Sequence, residues 1–412
     1  MTTSTVDVAV IGAGPAGLAA AISAKESGAK NVIVLDRNSW LGGILPQCIH
    51  DGFGVIETGS SMTGPEYAQM YINMAEKQKI TLLCETMVLS FDKNLTITAV
   101  NKNGLQKIKT KSIILSMGCR ERTRWFAMIP GDRPSGIFTA GVAQAFINLY
   151  NIMPGKNILI LGSGDVGLIM ARRLKFEGAN VLGVVEILPF PSGLPRNVVQ
   201  CLDDYDTPLY LNHTVTYIQG RERLESVTIA QIDKNRKVIP GTERKIKCDT
   251  LLLSLGLIPE NELAGNTGIN IDNTTGGPIV NQFLETSLPG VFACGNCLQV
   301  YDLVDELSSD AKRAGANAAQ KKNLKTEKTI KINPGKGVRY VVPQLITVPG
   351  KTHFSLRVIK PEESKRIIIN SGGKEVFSKK LAWVNPANMI SFDAEIPNEI
   401  LEKEQDLEVC LA

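Results

Sequence analysis

Apolar and polar positions along the chain form the same strand–helix–strand pattern twice. Val6–Ile11 is a short β-rich apolar run, an alanine-rich stretch suited to a helix follows at Ala16–Ser27, and a second apolar run comes at Asn31–Asp36. The same order is predicted again further along the chain, at Ile158–Leu161, Val166–Phe176 and Val181–Glu186. Parallel strands need a crossover helix, so two βαβ units predict two parallel-sheet domains.

After Ala319 the pattern changes. Lysines crowd a stretch in which Glu327 is the one acidic residue, and this predicts a solvated helix end and linker at Lys321, Lys322, Lys325, Lys328 and Lys331. Short alternating runs then predict strands at Arg339–Val342, Phe354–Val358, Arg366–Ile369, Leu381–Val384, Ile390–Phe392 and Leu407–Leu411. Residues 333–412 are therefore expected to form a small C-terminal β domain, sandwich-like, with packing or partner docking as its favoured role.

Each predicted βαβ unit has a glycine-rich loop between its first strand and its helix. The spacing G-x-G-x-x-G is typical of a dinucleotide site, because it permits a tight turn, a close backbone approach to pyrophosphate and close packing of helix on strand. A helix N-terminus also attracts phosphate. The spacing occurs at Gly12, Gly14 and Gly17, and again at Gly162, Gly164 and Gly167.

An acidic residue follows each loop at the same distance. Asp36 comes 24 positions after Gly12, and Glu186 comes 24 positions after Gly162. A carboxylate at the end of the second strand can bind ribose hydroxyls. Glu186 would repel a 2′-phosphate, and the next arginine is Arg196, so the second site is predicted to prefer NADH over NADPH. Two nucleotide sites in one chain suggest electron transfer between the nucleotides.

Composition narrows the function classes. The 412 residues carry 45 Lys+Arg and 41 Asp+Glu, a formal net charge of +4, without a long basic patch with interleaved aromatics, so no nucleic-acid partner is expected. Three histidines leave little room for a histidine-built metal site, and no metal is predicted. The apolar stretch Val8–Ala24 is interrupted by glycine and proline, and no lysine or arginine precedes Lys25. Neither a membrane span nor a secretory signal is therefore expected, and the predicted location is the cytoplasm.

The eight cysteines are scattered, so a disulfide framework is not expected. Cys294 and Cys297 form one CxxC, which by itself suits either a redox pair or half a metal site. No second CxxC supports either role, and the favoured interpretation is a coincidence at a buried strand end.

Further motifs resemble those of the two-dinucleotide flavoproteins, the pyridine-nucleotide-dependent flavin oxidoreductases, over about residues 5–322. Gly42-Gly43 resembles the paired glycines near the flavin in that family, and Ser116-Met117-Gly118 resembles its strand-end motif between domains. Leu255–Leu263 is similar to its return strand from the nicotinamide domain. Leu288–Asn296 resembles its late FAD motif, which usually ends in Gly-Asp.

The resemblance implies an α/β fold of two Rossmann-like three-layer domains, with FAD on the first loop and the nicotinamide nucleotide on the second. Residues 1–122 and 264–325 would form the FAD domain, and residues 123–263 the NAD(P)H domain. Asn296 replaces the family's ribityl-binding Asp, but an amide can still hydrogen-bond a hydroxyl. The residues predicted to bind the cofactors are Gly12, Gly14, Pro15, Ala16, Gly17, Asp36, Arg37, Gly42, Gly43, Val88, Gly118, Gly162, Gly164, Asp165, Val166, Gly167, Glu186, Gly256, Gly295, Asn296 and Val304.

The dithiols of related enzymes have no counterpart in the sequence. Thioredoxin reductases carry a CxxC in the nicotinamide domain, and none occurs between Arg120 and Leu263. Disulfide reductases place a cysteine pair just after the paired glycines, where only Cys48 occurs. A dithiol relay is therefore disfavoured.

Closer similarity suggests a complex. Arg133–Gln144 and Val300–Asp305 resemble the flavoprotein subunits of heteromeric amine and opine oxidases, including the sarcosine oxidase α-subunit. Leu41–Gly54, joined to the β domain, resembles a bacterial companion flavoprotein. That companion occurs with a small cysteine-containing protein and with a glycerol-3-phosphate dehydrogenase-like subunit, which are thereby implied as partners.

Cys48 and His50 are the predicted catalytic residues, because the family brings this loop close to the flavin. A thiol or imidazole there would donate a proton or form a transient adduct. The alternative, a buried cysteine and a hydrogen-bonding histidine that line the pocket, stays open. Asp302 and Asp305 are expected to cap a helix that begins near Glu306.

The leading hypothesis is thus an FAD-dependent NADH:acceptor oxidoreductase that passes electrons to an acceptor or to a partner in a glycerol-3-phosphate dehydrogenase-type complex. A thiol or disulfide reductase that uses Cys48 is a same-fold alternative. A non-catalytic subunit that holds FAD and docks a partner is a third hypothesis.

Overall fold

The computed structural model describes residues 2–320 and 328–412, so Lys321, Lys322, Lys325 and Glu327 of the predicted linker lie outside the described residues. The strands are β1 (Thr2–Ile11), β2 (Val32–Leu35), β3 (Thr81–Leu83), β4 (Met87–Phe91), β5 (Thr96–Asn101), β6 (Gly104–Leu115), β7 (Cys119–Glu121), β8 (Ile137–Thr139), β9 (Asn157–Leu161), β10 (Asn180–Val185), β11 (Leu209–Tyr210), β12 (His213–Gly220), β13 (Leu224–Gln231), β14 (Arg244–Lys247), β15 (Thr250–Leu253), β16 (Leu257–Pro259), β17 (Val291–Ala293), β18 (Ile330–Pro334), β19 (Val338–Val342), β20 (Leu345–Ile346), β21 (Gly350–Val358), β22 (Glu362–Ser371), β23 (Lys374–Val384), β24 (Ile390–Ile396) and β25 (Leu407–Leu411). The helices are α1 (Pro15–Glu26), α2 (Val55–Thr58), α3 (Gly64–Lys77), α4 (Ala140–Tyr150), α5 (Asp165–Phe176), α6 (Pro195–Cys201), α7 (Glu262–Asn266), α8 (Val304–Gln320) and α9 (Asn398–Glu402), with short 3₁₀ turns at Leu45–Gln47, Asp203–Tyr205 and Gly295–Cys297.

The chain divides into two compact units, and the first contains the residues up to Cys119 together with those from Pro259 onward. Its main sheet has the strand order β3-β2-β1-β6-β5-β4, and β17 pairs with β6. The strands β3, β2, β1, β6 and β17 run parallel, while β4, β5 and β6 pair antiparallel. Small residues let α1 and α8 approach closely, since a Cβ at Gly315 would overlap the carbonyl of Ala20.

The second unit, Arg120–Ile258, repeats the architecture. Its parallel sheet has the order β11-β10-β9-β15-β8, and a separate antiparallel sheet has the order β12-β13-β14. The β9 and β15 strands are buried over almost their whole length, as expected for strands that are covered on both faces. The predicted pair of Rossmann-like folds is therefore confirmed.

The C-terminal region consists of two sheets, β20-β18-β25-β22-β23 and β19-β21-β24, which belong to the first unit. The six predicted strands all fall within observed ones, and the one-turn helix α9 is an addition that the alternating pattern did not predict. Side chains from both sheets share one apolar cluster, in which the Phe354 and Phe392 rings stack 5.5 Å apart. This is a sandwich-like β region, as predicted.

Two kinds of feature are absent from residues 2–320 and 328–412. No helix among them combines the length and apolar character that a bilayer crossing needs. Within the same residues, no group of three or more His, Cys, Asp or Glu side chains is arranged to hold a metal ion.

The core of the β region provides a direct test of its packing. Phe354→Ala should lower the free energy of unfolding by about 3–5 kcal/mol, because Phe354 is 0% exposed and its removal leaves a cavity. Urea unfolding followed by circular dichroism measures the loss. Trp383→Ala removes an aromatic side chain of β23 that is 44% exposed and should change stability by less than about 0.5 kcal/mol. Equal losses in the two variants would contradict the assigned core.

Candidate functional site

The first glycine loop is closed by a serine from the neighbouring strand. Gly12 follows β1 with a φ of +104°, and a Cβ there would overlap the carbonyl oxygen of Ser116. The Ser116 hydroxyl donates to the carbonyls of Ile11 and Gly12 at 2.9 and 3.0 Å. Only glycine fits this position without strain, because the backbone is left-handed and space is lacking.

The second loop is built in the same way. Gly162 follows β9 with a φ of +97°, and its Cβ would overlap the carbonyl oxygen of Ser254. The Ser254 hydroxyl accepts the backbone N–H of Gly167 at 3.2 Å. Ser254 was not predicted as a site residue, although the signal is present: Ser-x-Gly follows a buried strand at Ser116 and again at Ser254.

The acidic residue after each second strand holds its glycine loop directly. Asp36 is buried, and its carboxylate accepts the N–H groups of Ala13 at 2.7 Å and Asn38 at 2.8 Å. Glu186 is also buried and accepts the N–H of Ser163 at 2.9 Å and of Leu188 at 2.9 Å. The two acids therefore occupy equivalent places in two copies of one arrangement.

The two carboxylates differ in how many acceptor sites remain. Glu186 Oε2 also accepts the hydroxyls of Ser163 and Ser192, at 2.5 and 3.0 Å. A carboxylate oxygen offers about two lone-pair directions, so three donors crowd Glu186 Oε2 while Oε1 accepts one, whereas each oxygen of Asp36 accepts one donor and keeps one direction open. Neither serine was singled out from the sequence, because hydroxyls in a loop carry no periodic signal.

Both helices that follow the loops begin just after a glycine. Gly14 and Gly164 are the N-cap residues of α1 and α5 and supply no side-chain cap, and at α5 the Ser254 hydroxyl accepts the N–H of Gly167. The first-turn N–H groups of a helix have no partner within the helix and favour an anion. Together with the glycine backbone, each terminus fits the pyrophosphate of a dinucleotide.

Three segments predicted to contact FAD meet at the first loop. The N–H of Gly42 donates to the Ala13 carbonyl at 2.9 Å, and a Cβ at Gly43 would lie 2.9 Å from the Gly14 Cα. A Cβ at Gly295 would lie 2.6 Å from the Ala16 Cβ. The paired glycines and the late motif thus both pack against the Gly12–Gly17 loop.

Asn296 is engaged with its own loop. Its Oδ1 accepts the N–H of Tyr301 at 3.1 Å, and its Nδ2 donates to the Cys119 Sγ at 3.6 Å. Val304 is the first residue of α8, and Gly118 accepts the N–H of Glu260 at 3.0 Å.

Other predicted cofactor residues have more varied surroundings. Arg37 is exposed, and Val88 is buried in β4 opposite Ala99. Close to Val88 in sequence, the Thr86 N–H donates to the backbone carbonyl of Asp36.

In the second unit, Asp165 and Val166 open α5, as Pro15 and Ala16 open α1 in the first. The Asp165 Oδ1 accepts the Leu194 N–H at 2.8 Å and the Asn197 amide at 2.6 Å. Gly256 accepts the Arg122 N–H at 3.0 Å. Asp165 therefore ties the start of α5 to the segment that opens α6.

A family model described as pyridine nucleotide-disulphide oxidoreductase matches residues 6–320. The chain belongs to this family. Its members bind FAD and NAD(P)H, in accord with the two loops.

Curated relatives are distant. The chain is 25% identical over 313 residues to the A subunit of opine oxidase from Agrobacterium tumefaciens (strain Ach5), covering 70% of this chain and 61% of that protein. It is 26% identical over 320 residues to the alpha subunit of sarcosine oxidase from Corynebacterium sp. (strain U-96), covering 71% and 31%. The matched region thus spans less than two thirds of either relative.

Solved structures share the fold. A thioredoxin reductase from T. acidophilum superposes with a TM-score of 0.62 at 21% identity, covering 77% of this chain and 98% of that one. A NAD-dependent persulfide reductase from A. fulgidus gives a TM-score of 0.60 at 18% identity, covering 97% and 75%. At these identities the likeness extends to the fold alone.

Cys48 does not have the surroundings of an activated thiol in this family member. It follows the turn Leu45–Gln47, and its Sγ lies 3.5 Å from the Ile44 carbonyl. The backbone carbonyl of Cys48 accepts the N–H of Gly64. Burial raises the pKa of the Cys48 thiol to about 12, so the thiol stays protonated at neutral pH. The His50 ring lies 5.1 Å from the Phe53 ring.

The CxxC thiols lie in the core. Cys294 and Cys297 are free and 0% exposed, and the Cys297 thiol donates to the carbonyls of Leu115 and Cys294 at 3.2 Å. Burial raises the pKa of Cys297 to about 12 and that of Cys294 well above its ordinary value. Neither thiol has the exposure or the lowered pKa that a redox-active cysteine needs.

The predicted capping of α8 is corrected by the structure. The helix begins at Val304 rather than near Glu306. The Asp305 Oδ1 accepts the N–H groups of Ile56 and Glu57, at 3.0 and 2.9 Å, at the start of α2. Asp302 binds the C-terminal β region, which lies far away in sequence.

A partly buried network that the sequence did not indicate continues from α2. The Glu57 carboxylate accepts the hydroxyls of Tyr67 and Tyr71, at 2.7 and 2.8 Å, and pairs with Lys312 of α8. Tyr67 also reaches Ser308 at 2.9 Å. These bonds fix the segment after His50 to α3 and α8.

Two glycines with nearly equal φ angles allow the steric requirement to be isolated. Gly12→Ala should cost about 1–3 kcal/mol more than Gly28→Ala, because a Cβ at Gly12 meets Ser116 while Gly28, at a φ of +103°, has nothing within 4 Å. Urea unfolding monitored by circular dichroism compares them. Similar losses in both variants would show that the Ser116 carbonyl does not restrict the loop.

Cys48 reactivity tests the state of the thiol. At pH 8, iodoacetamide should modify Cys48 at least about a hundredfold more slowly than free cysteine, since a pKa of about 12 leaves little thiolate. Peptide mass spectrometry follows the site, and urea-unfolded protein, in which the rate should become ordinary, is the control. Modification of native Cys48 within tenfold of the free rate would contradict the burial argument.

Proposed function

We propose that the chain is an FAD-dependent NADH:acceptor oxidoreductase, with FAD on the Gly12 loop and NADH on the Gly162 loop. The supporting observation is a repeated hydrogen bond, in which Asp36 and Glu186 each accept the N–H that follows the first glycine of a loop. A chain with one dinucleotide site would need only one such bond. The proposed FAD domain is residues 1–122 with 264–325, and the proposed NADH domain is residues 123–263.

The bound cofactors supply the hydride chemistry, from the nicotinamide to the flavin. The protein's own task is to hold and orient them. The N-termini of α1 and α5 would bind the two pyrophosphates, and Asp36, with one acceptor direction open on each oxygen, would accept ribose hydroxyls. Asn296 would offer its amide where relatives carry a carboxylate. Cys48, which remains protonated, would line the pocket or donate a proton from its thiol.

Preference for NADH is proposed from Glu186. Its carboxylate is buried and held by four donors, so it cannot swing away from an added 2′-phosphate. Two like charges brought together in a buried site repel strongly. NADPH is therefore expected to bind more weakly than NADH.

We further propose that the electrons leave through a partner protein. The opine oxidase and sarcosine oxidase relatives are both named as subunits, which supports a heteromeric arrangement for this chain. The sequence resemblance points to a glycerol-3-phosphate dehydrogenase-like protein with a small cysteine-containing protein. Co-purification from the native cell identifies the partner.

Anaerobic mixing with reduced nicotinamides tests the function. NADH should bleach the visible flavin band with a lower half-saturating concentration than NADPH. Glu186→Gln should narrow the difference, because the amide lacks the repelling charge. Glu177→Gln, which removes the acid that pairs with Arg173 just after the C-terminal end of α5, should leave the preference unchanged.

The same measurement separates the alternatives. If Cys48→Ser keeps the bleaching rate and the reoxidation rate within about twofold of wild type, a thiol reductase that depends on Cys48 is excluded. If saturating NADH does not bleach bound flavin, the chain is a non-catalytic subunit that holds FAD. A NADPH preference in wild-type protein would contradict the role given to Glu186.

A further inference from the structure

Alternate residues of β21 face two different surroundings. Phe354, Leu356 and Val358 are fully buried in the core of the β region. Successive side chains of a strand point to opposite faces, so His353, Ser355 and Arg357 share the other face. That face is directed at the segment that runs from the end of the late FAD motif into α8.

Arg357 uses all of its guanidinium nitrogens on this face. Nη2 donates to the Val300 carbonyl at 2.9 Å and to the Asp302 carboxylate, while Nη1 donates to the Pro386 and Ala387 carbonyls. Nε donates to the Tyr340 hydroxyl at 3.1 Å. A planar fork held at five acceptors permits little displacement of the groups it binds.

The segment is held at further points. The other oxygen of Asp302 accepts the Met389 N–H at 2.6 Å, and the Gln299 amide donates to the Ser355 hydroxyl at 2.8 Å. The Arg357 and Asp302 side chains are only 11% and 12% exposed. Removing one partner from a buried ion pair leaves an uncompensated charge, which makes this pair sensitive to substitution.

The residues that β21 holds, Gln299, Val300 and Asp302, lie in sequence between two predicted flavin contacts, Asn296 and Val304. We propose that Arg357 is a positioning residue for the flavin site. Through its bond to Asp302, Arg357 fixes the first turn of α8 relative to Asn296. The inference rests on the proposed FAD site. It gives the C-terminal β region a role at the cofactor rather than in packing alone.

Several charged side chains surround the Arg357–Asp302 ion pair at the start of α8. Asp302, Glu306 and Asp310 recur at four-residue intervals from just before α8 into the helix, and His353 of β21 lies 3.8 Å from the Asp310 carboxylate. Burial and the neighbouring Asp302 and Asp310 raise the pKa of Glu306 to about 7, which Arg357 opposes. Loss of Arg357 alone would leave this helix start more negative, and loss of Asp302 alone would leave it more positive.

Three variants test the proposal in the full chain with FAD as the probe. Arg357→Met should weaken FAD binding at least about tenfold, and Arg357→Lys should recover part of the loss, because lysine keeps the charge without the fork. Asp302→Asn should also weaken binding. Isothermal titration of apoprotein with FAD measures the dissociation constants.

The midpoint potential of the bound flavin adds a readout that a purely structural defect would not reproduce. Arg357→Met should lower the potential, and Asp302→Asn should raise it, because the two changes leave opposite charges near α8. Arg366→Met is the control: Arg366 pairs with Glu375 on the exposed surface of the same β region. It should leave both FAD affinity and potential unchanged.

The outcomes are distinct. FAD affinity of Arg357→Met within twofold of wild type overturns the proposal, and so do potentials that shift the same way in both variants. If Arg357→Met is insoluble, Asp302→Asn decides: FAD affinity within twofold of wild type, or a midpoint potential that does not rise, overturns the proposal. Wild-type protein that fails to bind FAD overturns the proposed function itself, and with it this role.

Discussion

Two hydrogen bonds hold the candidate site together, from the N–H of Ala13 to Asp36 and from the N–H of Ser163 to Glu186. Each joins the end of a second strand to the turn that follows the first, and each gives a buried carboxylate the donors that it needs. The backbone holds the same turn, because the N–H of Gly12 donates to the Leu35 carbonyl and that of Gly162 to the Val185 carbonyl. If the carboxylate were lost, the loop N–H would be left without its partner and the turn would be held at fewer points.

The parts of the site that could be predicted are those with a local requirement. Gly12 and Gly162 are recognisable because their left-handed backbone and the overlapping carbonyls of Ser116 and Ser254 exclude every side chain, and this leaves a fixed spacing in the sequence. The C-terminal strands were predictable because one face of each is buried, which produces alternation. Both signals can be read from a few consecutive residues, although the carbonyls that exclude a side chain at the two glycines belong to residues distant in sequence.

What escaped prediction joins residues that are distant in sequence. Arg357 and Asp302 meet across 55 positions, and Glu57 and Lys312 meet across 255. Neither pair leaves a periodic mark, and an aspartate just before a helix is locally indistinguishable from a cap. The same limit applies to Cys48, since the sequence shows a thiol beside paired glycines but not the burial that raises its pKa. Reactivity is a property of the surroundings, which only the fold assembles.

The unequal filling of the two carboxylates has a consequence for how long each nucleotide stays. Under the proposed function, a ribose at Asp36 meets an anion with an open acceptor direction on each oxygen, whereas a ribose at Glu186 meets one whose Oε2 is crowded by Ser163 and Ser192 and whose Oε1 already accepts the Leu188 N–H. The first arrangement suits a cofactor that stays bound through many catalytic cycles. The second suits an exchanging nucleotide, because weaker binding shortens the residence time of a molecule that must dissociate before the next can bind.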